Sequence, residues 1–222
     1  MIKAVLFDMD GTITDTERVY NVFWAEAAHE TGCMEFTRED ALDFRSLNHK
    51  DARILMEKKF DGRADYDKIH TLCGQMVKDY LKENGIPKKP GVDEILSYLK
   101  EKNLKAAVVT ATALERALPR LEAVGLLHSF DEVISAHEVP QGKPHPDPYL
   151  YACEKLGLQP DECIAVEDSP NGVLSAYQAG CPTIMVPDLT EPDEALKEKL
   201  FATCKTLADI IEVLEEKSSN NG

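Results

Sequence analysis

Ile2-Lys3-Ala4-Val5-Leu6-Phe7, followed at once by Asp8-Met9-Asp10-Gly11-Thr12-Ile13-Thr14-Asp15, is a short apolar run that breaks off in acids. A run this short, ended by charged and turn residues, reads as a strand. Apart from Lys3 it is apolar at both alternating positions, so both faces of its sheet must be covered, as in parallel sheets. Residues two apart on an extended chain face the same side, so Asp8 and Asp10 bring two carboxylates to the strand's carboxyl end. Such a pair repels itself unless a cation or a proton intervenes, and hard oxygen ligands favour magnesium over zinc. A calcium-binding loop is excluded by spacing, because counting from Asp8 the glycine comes fourth rather than sixth and the twelfth position is Val19.

The rest of the chain extends this pattern. From Pro90 onward, β-branched runs at Ala106–Val109, Glu132–Ser135, Ile164–Glu167 and Thr183–Val186 alternate with amphipathic stretches starting near Val92, Ala113, Pro148, Pro170 and Leu207. Alternation of this kind predicts an α/β fold, a parallel sheet with helices on both faces. Residues 16–85 depart from it. They show only helical periodicity, as in Val19, Val22, Phe23 and Ala27 and again in Ile69, Leu72, Cys73, Met76 and Tyr80. An inserted helical domain over 16–85 is expected, with residues 1–15 and 86–222 forming the α/β core. Gly85-Ile86-Pro87-Lys88-Lys89-Pro90-Gly91 is a poor helix and a hinge candidate. The polar tail from Lys217 to Gly222 is expected to fray.

Composition narrows the function classes. The 222 residues hold 25 Lys and Arg against 40 Asp and Glu, for a net charge of −15, with 43% hydrophobic residues. That apolar content supports a packed core. The negative balance disfavours nucleic-acid and anionic-membrane surfaces, which are bound through clustered cations. No protein partner is evident. The six cysteines form no C-x-x-C pair and read as reduced, mostly buried thiols, and no apolar stretch suits a signal peptide or a membrane span, so a cytoplasmic location is expected.

Three more strand ends carry chemistry. Thr110-Ala111-Thr112 follows the second strand, and Thr112-Ala113-Leu114-Glu115 has the form of a capping box. The Thr110 hydroxyl and the free backbone N–H groups from Ala111 on would suit phosphate oxygens. Gly142-Lys143-Pro144-His145-Pro146-Asp147-Pro148 holds Lys143 on a stiff loop, where its ammonium could neutralise phosphate oxygens and the acids nearby. A phosphate-binding G-x-x-x-x-G-K loop is excluded, since it would need glycine at His137. Glu167-Asp168-Ser169-Pro170-Asn171-Gly172 ends a buried strand in two acids, with Ser169 as N-cap and Pro170 as first helical residue. Two acids beside an apolar run favour a bound metal. In an open parallel sheet all these strand ends share one edge, the edge where such folds bind ligands.

These four segments, D-M-D-G-T, V-V-T-A-T, G-K-P-H-P-D-P and V-E-D-S-P-N-G, resemble in order the motifs of the haloacid dehalogenase-like superfamily, specifically its members with an α-helical cap inserted after the first motif. The resemblance spans essentially the whole chain. It implies a doubly wound, Rossmann-like α/β core with a helical cap. It further implies Asp8 as nucleophile, Asp10 as general acid and base, and Thr110, Ala111 and Lys143 as phosphate-binding groups. Mg²⁺ would be held by Asp8, the Asp10 carbonyl, Asp168 and Glu167, the last as ligand or neighbour of a ligand. The implied reaction is hydrolysis of a small phosphorylated sugar or polyol through an aspartyl-phosphate. A β-phosphoglucomutase-like reaction is the alternative, weakened because Tyr20 stands where those mutases carry histidine. A non-catalytic phosphometabolite-binding module is the alternative of another class, disfavoured because Asp8, Asp10 and Lys143 are all present. Dehalogenation of carbon is disfavoured by Asp10 and the acidic fourth motif. Within the cap, Arg45 and His49 in Arg45-Ser46-Leu47-Asn48-His49-Lys50 are the candidates for substrate recognition, while His29, His70 and His128 read as surface or packing residues.

Overall fold

The computed structural model describes residues 1–219. Its sheet has six parallel strands: β1 (Ala4–Phe7), β2 (Lys105–Thr110), β3 (Glu132–Ser135), β4 (Cys163–Glu167), β5 (Thr183–Met185) and β6 (Ala202–Thr203), in the order β3-β2-β1-β4-β5-β6. That is the doubly wound, Rossmann-like order, with its switch point beside β1. The five predicted strands agree with the observed ones to within two residues at each end. The sixth was missed, because Ala202–Thr203 is too short to show a period.

Alternation along β1 builds both layers. Val5 and Phe7 pack under the helices α5 (Val92–Glu101), α6 (Leu114–Ala123) and α10 (Ile210–Ser219), in a cluster with Ile95, Leu99, Leu121 and Leu207. Ala4 and Leu6 face α7 (Asp147–Leu156) and α8 (Pro170–Ala179) on the other side, with Ala152, Leu156 and Ala176. All four β1 side chains are fully buried. Ser169 caps α8 by accepting from the Gly172 N–H and Pro170 opens it, as read from sequence, and Gly180 closes it in the left-handed conformation. A short helix, α9 (Glu194–Lys197), precedes β6. The last helix starts at Ile210 rather than near Leu207 and runs on to Ser219, so the tail expected to fray from Lys217 is helical in its first part; its last residues, 220–222, lie outside the described residues.

Between β1 and α5 the chain forms four helices, α1 (Glu17–Glu30), α2 (Arg38–Leu42), α3 (His49–Phe60) and α4 (Tyr66–Asn84). They enclose a core of their own. Trp24, Phe36, Phe44 and Phe60 stack in series, with ring centroids 5.2 to 6.2 Å apart, over Ile69, Cys73 and Val77. The two connections to the sheet domain run side by side. The Asp15 N–H donates to the Pro87 carbonyl and the Lys89 N–H to that of Ile13. All six cysteines are free and buried. Among the described residues no helix is long and apolar enough to cross a membrane.

Candidate active site

The carboxyl ends of β1, β2 and β4 and the loop before α7 converge on one point. Lys143 is fully buried, and its ammonium donates to Asp8 Oδ1 at 2.6 Å, Glu167 Oε1 at 2.6 Å and the Val109 carbonyl at 2.8 Å. A buried ammonium is stable only with such partners. They hold Lys143 above its ordinary range despite the opposing effect of burial. Tyr149, also fully buried, donates to Glu167 Oε1 at 2.5 Å and lays its ring under Lys143, 5.3 Å from the ammonium. No motif pointed to Tyr149, which looks in sequence like an ordinary apolar-face residue of its helix.

Asp8, Glu167 and Asp168 are buried, and one carboxylate oxygen of each lies within 4.8 Å of the other two. Asp8 Oδ2, Glu167 Oε2 and Asp168 Oδ1 have no hydrogen-bond partner among the described residues. Two glycines make room for the acids: a Cβ on Gly11, which has φ +91°, would collide with Asp168, and one on Gly172 would collide with Glu167. Three orphaned carboxyl oxygens in a cleared space fit a hard divalent cation. Burial pushes the Asp8 carboxyl up to about 7 against the pull of Lys143, with Glu167 and Asp10 adding to the rise. It raises Asp168 well above its ordinary range too, with Asp8 and Glu17 adding to the effect. Glu17, the first residue of α1, which no motif singled out, stands at the same cluster. Loss of water pushes it up to about 8, against Arg45 and with Asp10, Asp8 and Asp188 adding to the rise.

Asp10 shares the strand end with Asp8 but takes different partners. Its carboxylate accepts from Thr16 Oγ1 at 2.5 Å, Thr112 Oγ1 at 2.8 Å and Arg120 Nη1 at 3.1 Å. The capping box expected at Thr112 is therefore not formed. Ala113 occupies the N-cap without a side-chain bond, because the Thr112 hydroxyl donates to Asp10 instead. Thr110 is buried beside it, its hydroxyl accepting from the Thr112 N–H at 3.0 Å, and Ala111 lies half-buried at the cavity wall.

A cavity of about 330 Å³ separates this edge from the helical layer, and Asp8, Asp10, Thr110 and Ala111 line it from below. Arg45 and His49 line it from the helices, but differently. Arg45 is buried and crosses to the acids, with Nη1 3.2 Å from Asp168 Oδ2 and Nη2 2.5 Å from Thr190 Oγ1. His49 faces the cavity beside His70, ring centroids 4.6 Å apart. His70, read as a surface or packing residue, does pack, stacked on Tyr66 at 5.5 Å and tilted against Trp24 at 6.1 Å, and it also lines the cavity. Its position on α4 relative to α3 is tertiary information that helical spacing alone does not carry. His29 bonds the Phe36 carbonyl at 2.8 Å, and His128 is almost wholly exposed.

An ammonium, three convergent acids and a fourth carboxylate at the switch point of a doubly wound sheet reproduce in space the four motifs of the sequence. The model of the haloacid dehalogenase-like hydrolases matches residues 5–186, from β1 through the end of β5. The chain belongs to the haloacid dehalogenase-like hydrolase family. It is 32% identical to hexitol phosphatase A of Escherichia coli (strain K12), over 94% of this chain and 98% of that protein. It is also 32% identical to the phosphorylated carbohydrates phosphatase of Thermotoga maritima, over 97% and 99%. Its fold superposes on β-phosphoglucomutase of Clostridium difficile with a TM-score of 0.81, covering 100% of this chain and 99% of that one at 21% identity. As a haloacid dehalogenase-like hydrolase it is an enzyme, and the non-catalytic reading falls with that finding.

Proposed function

We propose that the protein is a Mg²⁺-dependent phosphatase of a small phosphorylated sugar or polyol, working through an aspartyl-phosphate on Asp8. The observation that carries this reading is the contact of Lys143 with Asp8, at 2.6 Å, beside three orphaned acid oxygens. Nucleophilic attack by one anion on another needs charge neutralisation more than covalent chemistry, and this cluster is built for it. Mg²⁺ bound by Asp8, Asp168, the Asp10 carbonyl and Glu167 would supply the second positive charge and screen the phosphoryl oxygens. Substrate class follows the relatives named for hexitol and phosphorylated-carbohydrate phosphatases, each matched along nearly its full length.

Each residue then has one task. Lys143 and the Thr110 and Ala111 groups hold the phosphoryl oxygens. Asp8 attacks phosphorus, forming the Asp8 O–P bond as the bond to the leaving oxygen breaks. Asp10 gives its proton to that oxygen, then takes one from the water that cleaves the acyl phosphate, which restores Asp8 and releases phosphate. Residues 16–85 form the cap that limits access of bulk water to this chemistry, over a core of residues 1–15 and 86–222. A mutase would need a group able to pass a proton near neutral pH at residue 20. Tyr20 instead accepts from Arg120 Nη2 at 2.6 Å, and burial pushes its phenol up to about 12.

The test is phosphate release from a panel of hexose, hexitol and pentose phosphates with and without chelator. Turnover by the wild type, none by Asp8→Asn, and a phosphoryl group on Asp8 in acid-quenched wild type are the expected results. Full activity after exhaustive chelation, or in Asp8→Asn, would overturn the reading.

A further inference from the structure

The cavity is chemically two-ended. Of the acids that line it, Asp8 and Asp10 stand at the sheet edge, Glu17 on α1 and Asp51 on α3. Away from that edge Arg116 of α6 presents a half-buried guanidinium that makes no hydrogen bond or ion pair among the described residues. One turn further along the same helix, Arg120 is ion-paired to Asp10, so the free state of Arg116 is not a general property of this surface. Its charge is felt by His49, His70, Tyr20 and Tyr66. Opposite it the helical layer carries Gly74, whose missing Cβ would stand 3.7 Å from Nη1, in ordinary van der Waals contact, so the backbone of α4 stays about one methyl group back from the guanidinium.

Three imidazoles complete this end. His49 packs against His70 at 4.6 Å and against His137, from the turn after β3, at 5.5 Å; the Tyr66 hydroxyl lies 3.5 Å from His49 Nδ1. Neither Asp67 nor Asp51 is left over to serve Arg116, and Glu17, which also lines the cavity, stands with Asp8, Asp10 and Arg45. Asp67, the acid acting on both His49 and His70, is held by Arg53 at 2.7 Å. Asp51 accepts from Asn48 at 2.7 Å and lies 3.4 Å from His145.

We propose that Arg116 is a specificity-determining residue that binds a carboxylate on the substrate, at the end remote from the phosphoryl group, so that the substrate is a phosphorylated sugar acid. The inference rests on the phosphatase reading above and narrows its substrate class. A guanidinium is a planar fork matched to a carboxylate, and the half-buried part of this end offers one such charge. The imidazoles of His49 and His70 are held below their ordinary range by burial, His70 to about 4, so near neutral pH they add hydrogen-bonding groups and no charge. A terminal phosphate dianion would call for a second cation, and the remaining one, Lys50, stands exposed at the rim.

Three substrates differing at one carbon test this with the Mg²⁺-loaded enzyme: 6-phosphogluconate, glucitol 6-phosphate and glucitol 1,6-bisphosphate. The acid is expected to exceed the neutral polyol by roughly 10–100-fold in kcat/KM, through KM, as for one charged hydrogen-bonded pair. Arg116→Met should erase that ratio by raising KM for the acid with little change in kcat, and Arg116→Lys should restore part of it. Equal rates on acid and polyol, a bisphosphate preferred over the acid, or an Arg116→Met loss equal on all three would overturn the proposal. Calorimetric titration of Asp8→Asn with the same compounds separates the two readings. Tighter binding of the acid without any wild-type turnover would sink the phosphatase and keep the carboxylate site, whereas turnover with no preference in rate or binding would do the reverse.

Discussion

Asp10, the proposed acid and base, shows how much of a residue's setting comes from neighbours, two of which, Thr16 and Arg120, no motif contains. Its carboxylate is fixed by Thr16, Thr112 and Arg120, and Arg120 is fixed in turn by Tyr20. If Asp10 protonates the leaving oxygen, Arg120 orients the acid without touching the substrate. Arg120→Met should therefore lower kcat on alkyl phosphates by about 10–100-fold, since general acid catalysis supplies roughly 10²–10⁴ and only part of it is lost with orientation. Aryl phosphates, whose leaving groups need no proton, should lose much less. Steady-state rates on a matched alkyl and aryl pair decide it, and equal losses would remove Arg120 from this role. Asp8, Glu167 and Asp168 were legible in the sequence because each sits at a strand end where charge is otherwise costly, and Lys143 because prolines stiffen the loop that holds it. Arg120, Tyr149 and Glu17 were not, because on a helix their spacing looks like that of any polar or amphipathic residue. Thr112 misled, since its capping pattern is genuine locally and is outcompeted by a carboxylate that lies 102 residues away in sequence.

At the level of elements, the sheet could be read because β1 is apolar on both alternating faces, and helical order followed from strand spacing. The helical layer gave less away. Its periodicity marked helices but not which faces meet, so the aromatic stack of Trp24, Phe36, Phe44 and Phe60, and the placing of His70 opposite His49, emerged only from packing. Phe36 is fully buried at the centre of that stack. Phe36→Ala should destabilise the layer by about 3–5 kcal/mol, the usual loss for a large buried aromatic. Because the four helices enclose a core separate from the three clusters on the sheet, the loss should appear first in them. Hydrogen exchange should speed up in α1 to α4 well before the β1 and β4 amides are affected. Uniform acceleration across both layers would show that they unfold as one unit.

Taken as a whole the molecule carries a net charge of −15, and its acids are gathered deepest where the chemistry requires them. Asp8 is pushed up to about 7 and Glu17 to about 8, chiefly by burial, and Asp168 higher than its ordinary range. In the unfolded chain these carboxyls titrate near 4. Between pH 4 and about 8 the folded metal-free protein therefore binds more protons than the unfolded chain, so this contribution to stability is present at low pH and is lost as pH rises through the folded values. His70 acts oppositely, losing its contribution as pH falls from about 6.5 towards 4. The Cys73, Cys153, Cys163 and Cys204 thiols, pushed up in the fold, add to the loss near pH 8.5, so comparisons with Mg²⁺ and with Asp168→Asn are what isolate the carboxyls. The metal-free protein should melt at a lower temperature at pH 8.5 than at pH 6.5. A divalent cation competes with those protons for the same oxygens. Saturating Mg²⁺ should thus raise Tm more at pH 8.5 than at pH 6.5, and Asp168→Asn should shrink that difference while raising the Tm of the metal-free protein at pH 8.5. Calorimetric melts at the two pH values check this, and a Mg²⁺ shift that is the same at both would mean that the ion does not bind at the cluster of Asp8, Glu167 and Asp168.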